Sequence, residues 1–495
     1  MLGFGQAEFQ IGRRQISVPQ GGGETNKDGT NAHRPSCFGF LLSQTQEISV
    51  TKRGGCFFLE NVAISLTVIV IAFALFFVLS FKGINLFATI LLCTGLVSLV
   101  TSEGLSSVFT AFMPSAANIF STYFLMYTLG GSFGYCLMES GLGTAIARHL
   151  IRVYGEKWIA VVLFFITCLL VAGGVSSYQF AILAIALPVL KRANLPKKVA
   201  LAAMSAGGGS VVYGTLIGMP TALNLAPTTY LGTTTTAGAG MSLICSAFSV
   251  AFVVWYLLHL SKRCRVRGEG FVAHPDDTFA AEDDEHLPPA WKGYACILCI
   301  IALSLVFQYV LHLSALQAVV YAQILSIAFC FLLVGKRFLP HLLTTCAKGF
   351  QSSVIPIILI AFVCGYGTVV QNTSAFQWLV DTVMSLNMHP YLLTFVVVNL
   401  LSGMTANGVA GVNLYLQTFG SSLIDNPAVN LGAIHRIASI SGSGFDSLPH
   451  NGAISFQLSV FHLSYREGYF QQFICSVLVN LLAGLLAVIM AMLLY

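Results

Sequence analysis

The sequence predicts an all-α polytopic membrane protein built from two inverted repeats. Three observations support this. Apolar residues make up 56% of the 495-residue chain, while Asp, Glu, Lys and Arg make up only 9%, against about 25% in soluble globular domains. Mean hydropathy is +0.81. The charges are also segregated. Residues 1–58 hold ten of them (Glu8, Arg13, Arg14, Glu24, Lys27, Asp28, Arg34, Glu47, Lys52 and Arg53), and 261–292 holds twelve more between Lys262 and Lys292. The depleted remainder is suited to hydrocarbon, where an unpaired charge at mid-bilayer costs about 2.5–3.5 kcal/mol on insertion scales.

The composition also excludes several function classes. A formal net charge of +5 needs no nucleic-acid partner, because Lys and Arg gather on the cytoplasmic loops of membrane proteins. The thirteen cysteines lie mostly inside apolar runs, where Cys acts as a small hydrophobe. Cys296 and Cys299 form a CxxC in an apolar helix, with no second pair or nearby His, so neither a metal nor a redox centre is expected. No cofactor is expected either. No HExxH or comparable nucleophile set supports a membrane-embedded enzyme.

Residues 1–58 are Gly-rich and polar, lack the apolar core of a signal peptide, and read as disordered. Lys52-Arg53-Gly54-Gly55 is what a purine-rich ribosome-binding sequence gives when translated. The expectation is therefore a natural start near Leu59, with 1–58 an over-called reading frame.

A spanning helix needs about 20 mostly apolar residues. In repeat 1 (59–260), spans read at 61–80, 84–101 and 117–138. A polar-tipped segment at 158–190 follows, then a Gly-interrupted segment at 199–225 and a clean span at 239–260. A charged cytoplasmic linker (261–290) leads into repeat 2 (291–495). Here spans read at 292–311, 315–334 and 351–371, followed by a polar-tipped segment at 391–423, an interrupted one at 432–458 and a span at 470–494. Residues 141–153 and 374–387 read as short amphipathic helices at the interface.

Gly130 and Gly365, Gly173 and Gly408, and Gly207 and Gly442 each stand 235 positions apart. A constant offset that aligns each helix breaker with another indicates an internal repeat. Lys191, Arg192, Lys197 and Lys198 flank the base of 158–190, which makes that segment a re-entrant hairpin opening on the cytoplasmic side. Five crossings per half, an odd number, invert the second repeat and place its hairpin on the opposite side. Ten crossings plus two hairpins are expected in all, in a cell membrane of bacterial inner-membrane type.

Irregular backbone persists in a bilayer only where protein buries it or a wet cavity faces it. Interrupted helices at matching places in inverted repeats mark secondary transporters with a mid-membrane site, although Gly and Ser also serve close helix packing. Occluding hairpins favour a carrier over a channel. The first tip offers Ser176 and Ser177, and the second offers Thr405 and Asn407 beside Gly408. These uncharged hydrogen-bonding groups are candidate substrate ligands, with half-helix N-termini after each tip aimed at an anion. The first interrupted segment carries Thr215, Thr221 and Asn224, and the second carries Asn451.

His435 to Ala453 is the densest ionisable group in an apolar segment. Asp446 and His450, four residues apart, are candidates for proton coupling, although Pro449 interrupts any helix between them. His435 and Arg436 either pair with a substrate carboxylate or sit at the outer helix end as interface anchors. Glu103 and Glu139 read as interfacial.

The run His435 to Ala453 resembles the signature stretch of the gluconate permease family, within the ion transporter superfamily. Ser205 to Asn224 resembles the superfamily's first discontinuous helix, and the resemblance covers most of 60–495. It implies proton-driven import of gluconate or a related small hydroxycarboxylate, two re-entrant hairpins, a scaffold that homodimerises, and a transport unit moving elevator-fashion. Carried onto this chain, it implies Ser176, Ser177, Thr215, Thr221, Asn407 and Asp446 to Asn451 as site residues, with Asn224 beside them. The hairpin tips here, Val-Ser-Ser and Ala-Asn-Gly, depart from the superfamily's Ser-Asn-Thr. The alternative is a sodium-coupled di- or tricarboxylate carrier on the same fold.

Overall fold

A computed structural model describes residues 62–175, 177–219, 221–277, 287–335, 341–384 and 388–495. The expected N-terminal extension 1–58, Ser176 and the acidic run 282–285 lie outside the described residues. The described chain is helical and carries no strand among the described residues.

Repeat 1 opens with α1 (Val62–Phe81), α2 (Leu86–Ser98) and α3 (Met113–Glu139). A bent pair follows, α4 (Leu142–Tyr154) and α5 (Ile159–Ala172), meeting at 110°. Next come α6 (Tyr178–Ala193), α7 (Lys197–Ala206), a π-helical stretch Gly207–Thr215, α8 (Ala222–Leu231) and α9 (Ala239–Val266). Repeat 2 runs through the same order. It contains α10 (Ala290–Tyr309), α11 (Ala315–Val334), α12 (Leu342–Gln371) and the amphipathic α13 (Ser374–Met384). The hairpin α14 (Pro390–Thr405) and α15 (Gly408–Ile424) follows, then α16 (Leu431–Gly442) and α17 (Gly452–Val460). The last crossing is α18 (Tyr465–Gln472), a π-helical stretch Phe473–Leu478 and α19 (Val479–Leu494).

Among the described residues, seven helical stretches are long and apolar enough to cross a bilayer: Val62–Phe81, Gly104–Glu139, Ala239–Val266, Ala290–Tyr309, Ala315–Val334, Leu342–Gln371 and Tyr465–Leu494. This is the pattern of a multi-pass membrane protein. The second expected span is shorter than its hydropathy indicated. Asn85 caps α2, its side-chain oxygen accepting from Phe87 N at 3.0 Å. The helix ends at Ser98 after 13 residues, about 20 Å at 1.5 Å per residue and well short of a hydrocarbon core of about 30 Å. The spans expected at 117–138 and 351–371 are instead longer, because helical hydrogen bonding continues past the apolar stretch into Thr345 and Lys348. Of the three other expected crossings, α2 is this short helix and the two broken segments are each built of short halves.

α3 and α12 pack closely against each other. A Cβ built on Gly349 would stand 2.5 Å from the Gly131 carbonyl oxygen, and one built on Gly131 would strike Gly349 and Ser353. Close backbone approach of this kind holds helices together in lipid, where no hydrophobic force drives them together. Ser132 Oγ donates to the Cys346 carbonyl across the same crossing, at 2.9 Å. Glu139 pairs with Lys348 at 2.7 Å near the end of this pair.

Each hairpin reverses through a left-handed residue, Gly174 (φ +76°) in the first and Ala406 (φ +50°) in the second. The charged linker docks on the junction between α6 and α7. Lys197 Nζ pairs with Asp277 at 2.6 Å, with both side chains almost fully buried. Lys198 meets Glu269 at 2.5 Å, and this ammonium holds the Glu269 carboxyl below the usual carboxylate range.

Replacing Gly349 with Ala should lower the unfolding temperature of the detergent-purified protein, at a cost of roughly 1–3 kcal/mol from overpacking. Gly95→Ala, where nothing lies within 4 Å of the added carbon, should leave it unchanged or slightly raised. Equal melting temperatures for the two variants would contradict the close α3–α12 crossing.

Candidate functional site

The two broken segments cross one another. A Cβ on Gly214 would collide with Ser443 Oγ and stand 3.2 Å from the Ser439 carbonyl oxygen. Ser439 Oγ donates to the Leu223 carbonyl at 3.0 Å. Where a helix unwinds, carbonyls lose their i+4 donors, and in a bilayer each orphan costs several kcal/mol. Side chains from the final spans replace those donors. Asn480 of α19 donates to Gly209 O at 3.2 Å and Ser443 O at 2.9 Å, and its own oxygen accepts from Ser210 Oγ at 2.9 Å. Ser242 of α9 donates to Thr215 O at 2.6 Å. One asparagine therefore ties both breaks to α19.

A second buried network lies around Gln457 of α17. Its Oε1 accepts from Ser205 Oγ at 2.8 Å and from Gln472 Nε2 at 2.9 Å, and its Nε2 donates to Tyr178 OH at 3.4 Å. Sequence reasoning missed Asn480, Ser242 and Gln472, because 239–260 and 470–494 read as plain spans, and Gln457, because it follows the ionisable run in 432–458. An isolated Asn or Gln in an apolar run was the available signal, since buried amides need partners.

The second hairpin tip packs directly on the second break. Asn451 Nδ2 donates to Ala406 O at 2.8 Å. His450 Nε2 lies 2.7 Å from Gly403 O, so this nitrogen carries the proton and donates, a carbonyl being unable to do so. Gly408 sits against the Gly442 carbonyl, and a Cβ on Gly408 would stand 3.1 Å from Asp446 Oδ2. The Asp446 carboxylate is thus at the first residue of α15, on the positive side of its dipole. It is half-buried and accepts from Ser447 Oγ at 2.8 Å. Among the described residues no Lys, Arg or His forms an ion pair with it.

Asn407 and Asn451, named from the sequence as substrate ligands, both cap helices. Asn407 Oδ1 accepts from Val409 N and Ala410 N at 3.0 and 3.1 Å, and Asn451 Oδ1 accepts from Ala453 N and Ile454 N at 2.6 and 3.1 Å. Asn407 is itself exposed, so its amide remains open to a ligand. Thr405 Oγ1 donates to Leu401 O at 2.8 Å.

Asp446 and His450 do not share a helix face. The chain between them is a 3-10 turn, Phe445–Ser447, followed by an extended Leu448, because Pro449 and the glycines interrupt the helix. The His450 ring lies against Phe73, with centroids 4.5 Å apart, and its proton points at Gly403. No hydrogen bond joins His450 to Asp446.

His435 and Arg436 are fully buried and are not interface anchors at a helix end. Both meet Asn224 of the first broken segment. His435 Nε2 lies 3.0 Å from Asn224 Oδ1 and its Nδ1 2.7 Å from Thr233 Oγ1. Arg436 Nη2 donates to the same Asn224 oxygen and to Thr235 O at 3.1 Å. Asn224 Nδ2 in turn donates to Met219 O at 2.8 Å and Thr235 O at 3.2 Å. Asn224 is thus fully engaged as a pin between the segments, while Arg436 Nε and Nη1 find no acceptor among the described residues.

Thr215 is fully buried, its hydroxyl donating to Val211 O at 2.8 Å. The Thr221 hydroxyl donates to Tyr213 O at 2.9 Å. Ser177, at the first tip, accepts from Gln323 of α11. The structure therefore brings together Thr405, Asn407, Asp446, His450 and Asn451. It gathers Thr221, Asn224, His435 and Arg436 at a second cluster.

No protein-family profile matches the chain. A relative in Bacillus subtilis (strain 168), described as the uncharacterized transporter YxjC, is 22% identical over 445 residues, covering 82% of this chain and 94% of its own. Among solved structures, the YdaH transporter of Alcanivorax borkumensis is 15% identical and superposes with a TM-score of 0.40, covering 87% of this chain and 97% of its own. MtrF of Neisseria gonorrhoeae is 12% identical with a TM-score of 0.38, covering 88% and 95%. Overlaps this loose transfer neither a site nor a substrate.

Asn224→Ala should be destabilising by about 3–5 kcal/mol, because it strips the buried Arg436 and His435 of their shared acceptor. Asn224→Asp keeps the acceptor for Arg436 but loses the two Nδ2 donations, so it should restore only part of the folded yield measured by size-exclusion chromatography. A wild-type yield of Asn224→Ala would show that the pin carries no load.

Proposed function

We propose that this chain is a secondary active transporter importing gluconate or a related small hydroxycarboxylate by proton symport. Three features support transport: the repeated order of hairpin and broken helix, the crossing of the two breaks inside an apolar bundle, and the similarity over most of the chain to a relative named as a transporter. The observation that carries the coupling reading is Asp446. Its half-buried carboxylate sits beside a hairpin tip, at a helix N-terminus, with no fixed counter-ion among the described residues. Such a group takes its partner from solution, a proton in this reading, and Asn407 and the α15 N-terminus offer neighbouring donors to a substrate oxyanion. The resemblance of His435 to Ala453 to the gluconate permease signature supports the substrate class.

On this reading the hairpins and broken segments move as one unit past the α3–α12 pair, in a homodimer. A sodium-coupled di- or tricarboxylate carrier is the outcome that the same experiment separates. Radiolabelled gluconate uptake into proteoliposomes should be driven by an inward pH gradient and be indifferent to sodium. Stimulation by a sodium gradient alone would replace protons by sodium. Asp446→Asn should abolish gradient-driven accumulation while keeping substrate exchange across the membrane. Full accumulation by this variant would remove Asp446 from the coupling step.

A further inference from the structure

The docked linker gathers a group of side chains far from the crossing of the broken segments. Lys197 and Asp277 form an ion pair whose side chains are 4% and 1% exposed. Asp277 Oδ2 also accepts from the His274 backbone N–H at 2.8 Å. That pair therefore fixes where His274 and Asp276 stand. Opposite them is His462, in the loop between α17 and α18. It occupies a left-handed conformation (φ +52°) just past the end of α17, a position where glycine or asparagine is usual. The two imidazoles lie face to face, 4.2 Å between centroids and 8° from parallel. His274 Nδ1 is 3.5 Å from Asp276 Oδ2 and accepts from Asp276 N at 3.2 Å.

We propose that His274, Asp276 and His462 form a binding site for a borderline divalent transition-metal ion such as zinc, joining the inter-repeat linker to the loop between α17 and α18. One donor atom from each of the three lies within 4.8 Å of the other two. Ligands bind zinc at about 2.0–2.2 Å along the in-plane lone pair of an imidazole nitrogen, so the stacked rings have to turn out of their parallel arrangement for the three donors to close on one ion. Two imidazoles and a carboxylate match borderline ions such as zinc, cobalt and nickel rather than magnesium or calcium, which prefer all-oxygen sets. The three residues are exposed, which gives the ion an entry path and leaves a fourth position for water. The donors come from two chain segments, so the ion would cross-link the linker to the segment leading out of the second broken helix.

The full-length chain, purified in detergent without a polyhistidine tag and stripped with a chelator, is titrated calorimetrically with zinc chloride. One equivalent per chain is expected. His274→Ala and His462→Ala should each weaken it by at least about tenfold, while the metal-free variants still elute as folded protein in size-exclusion chromatography, because the three residues are exposed. Zinc should also slow proteolytic cleavage of the linker in the wild type and not in either variant, a readout that zinc bound to cysteines elsewhere would not reproduce. Absence of the equivalent, or wild-type affinity in either variant, would overturn the site.

Discussion

The structure depends on how two helices are allowed to break inside an apolar bundle. Each break drops backbone hydrogen bonds where water is scarce, and an unmet carbonyl in hydrocarbon costs more than most single contacts contribute. The breaks persist because they cross and because a few amides from neighbouring helices stand in for the missing backbone donors. Asn480 is the clearest case: one side chain serves Gly209, Ser210 and Ser443, and so holds both breaks in register. Asn399 of α14 meets the opposite need, its Oδ1 standing in for a missing acceptor and accepting from Phe445 N at 3.3 Å. Rigid support of this kind holds a carboxylate at a defined place without pairing it.

The two halves repeat the same elements but use them differently. In the second half, the tip at Ala406 and Asn407 lies on its own break and on Asp446, through Gly408, His450 and Asn451. In the first half, Ser177 is tied to Gln323 of α11, and Gly174 lies beside Ser304 and Gln308 of α10. A similar order of helices thus recurs in both halves, and residue differences concentrate the charged chemistry in the second. Val-Ser-Ser at one tip and Ala-Asn-Gly at the other reflect this division. Only asparagine at the tip position caps the following helix with its own side chain.

Much of the architecture could be read in advance because hydrocarbon imposes simple rules. Apolar runs of spanning length, Gly-rich interruptions and the constant offset of 235 positions match elements present in the structure in the same order. Where the reading slipped, hydropathy and hydrogen bonding had parted. α2 ends early because the Thr101–Gly104 stretch turns the chain, with Gly104 at φ +59°. α3 and α12 run longer than their apolar stretches because polar residues inside a bundle remain helical. The candidate site was legible in part. Asp446, His450 and Asn451 stood out as polar groups in an apolar segment, and they do converge with the second tip.

The sequence by itself determined the class of protein, the duplicated order of elements, the places where helices break and the one segment dense in ionisable groups. These follow from local composition, since each residue's compatibility with lipid does not depend on which neighbour it finally meets. Tertiary structure alone decided which polar groups are satisfied. It bound Asn224 to Arg436 and His435 across 212 and 211 positions, turned the His450 proton away from Asp446 toward Gly403, and brought His462 against His274. A side chain's polarity is written in the sequence, but its hydrogen-bond partner is set by packing between segments hundreds of residues apart. That partner decides whether a buried polar group is a structural pin or remains open to a ligand.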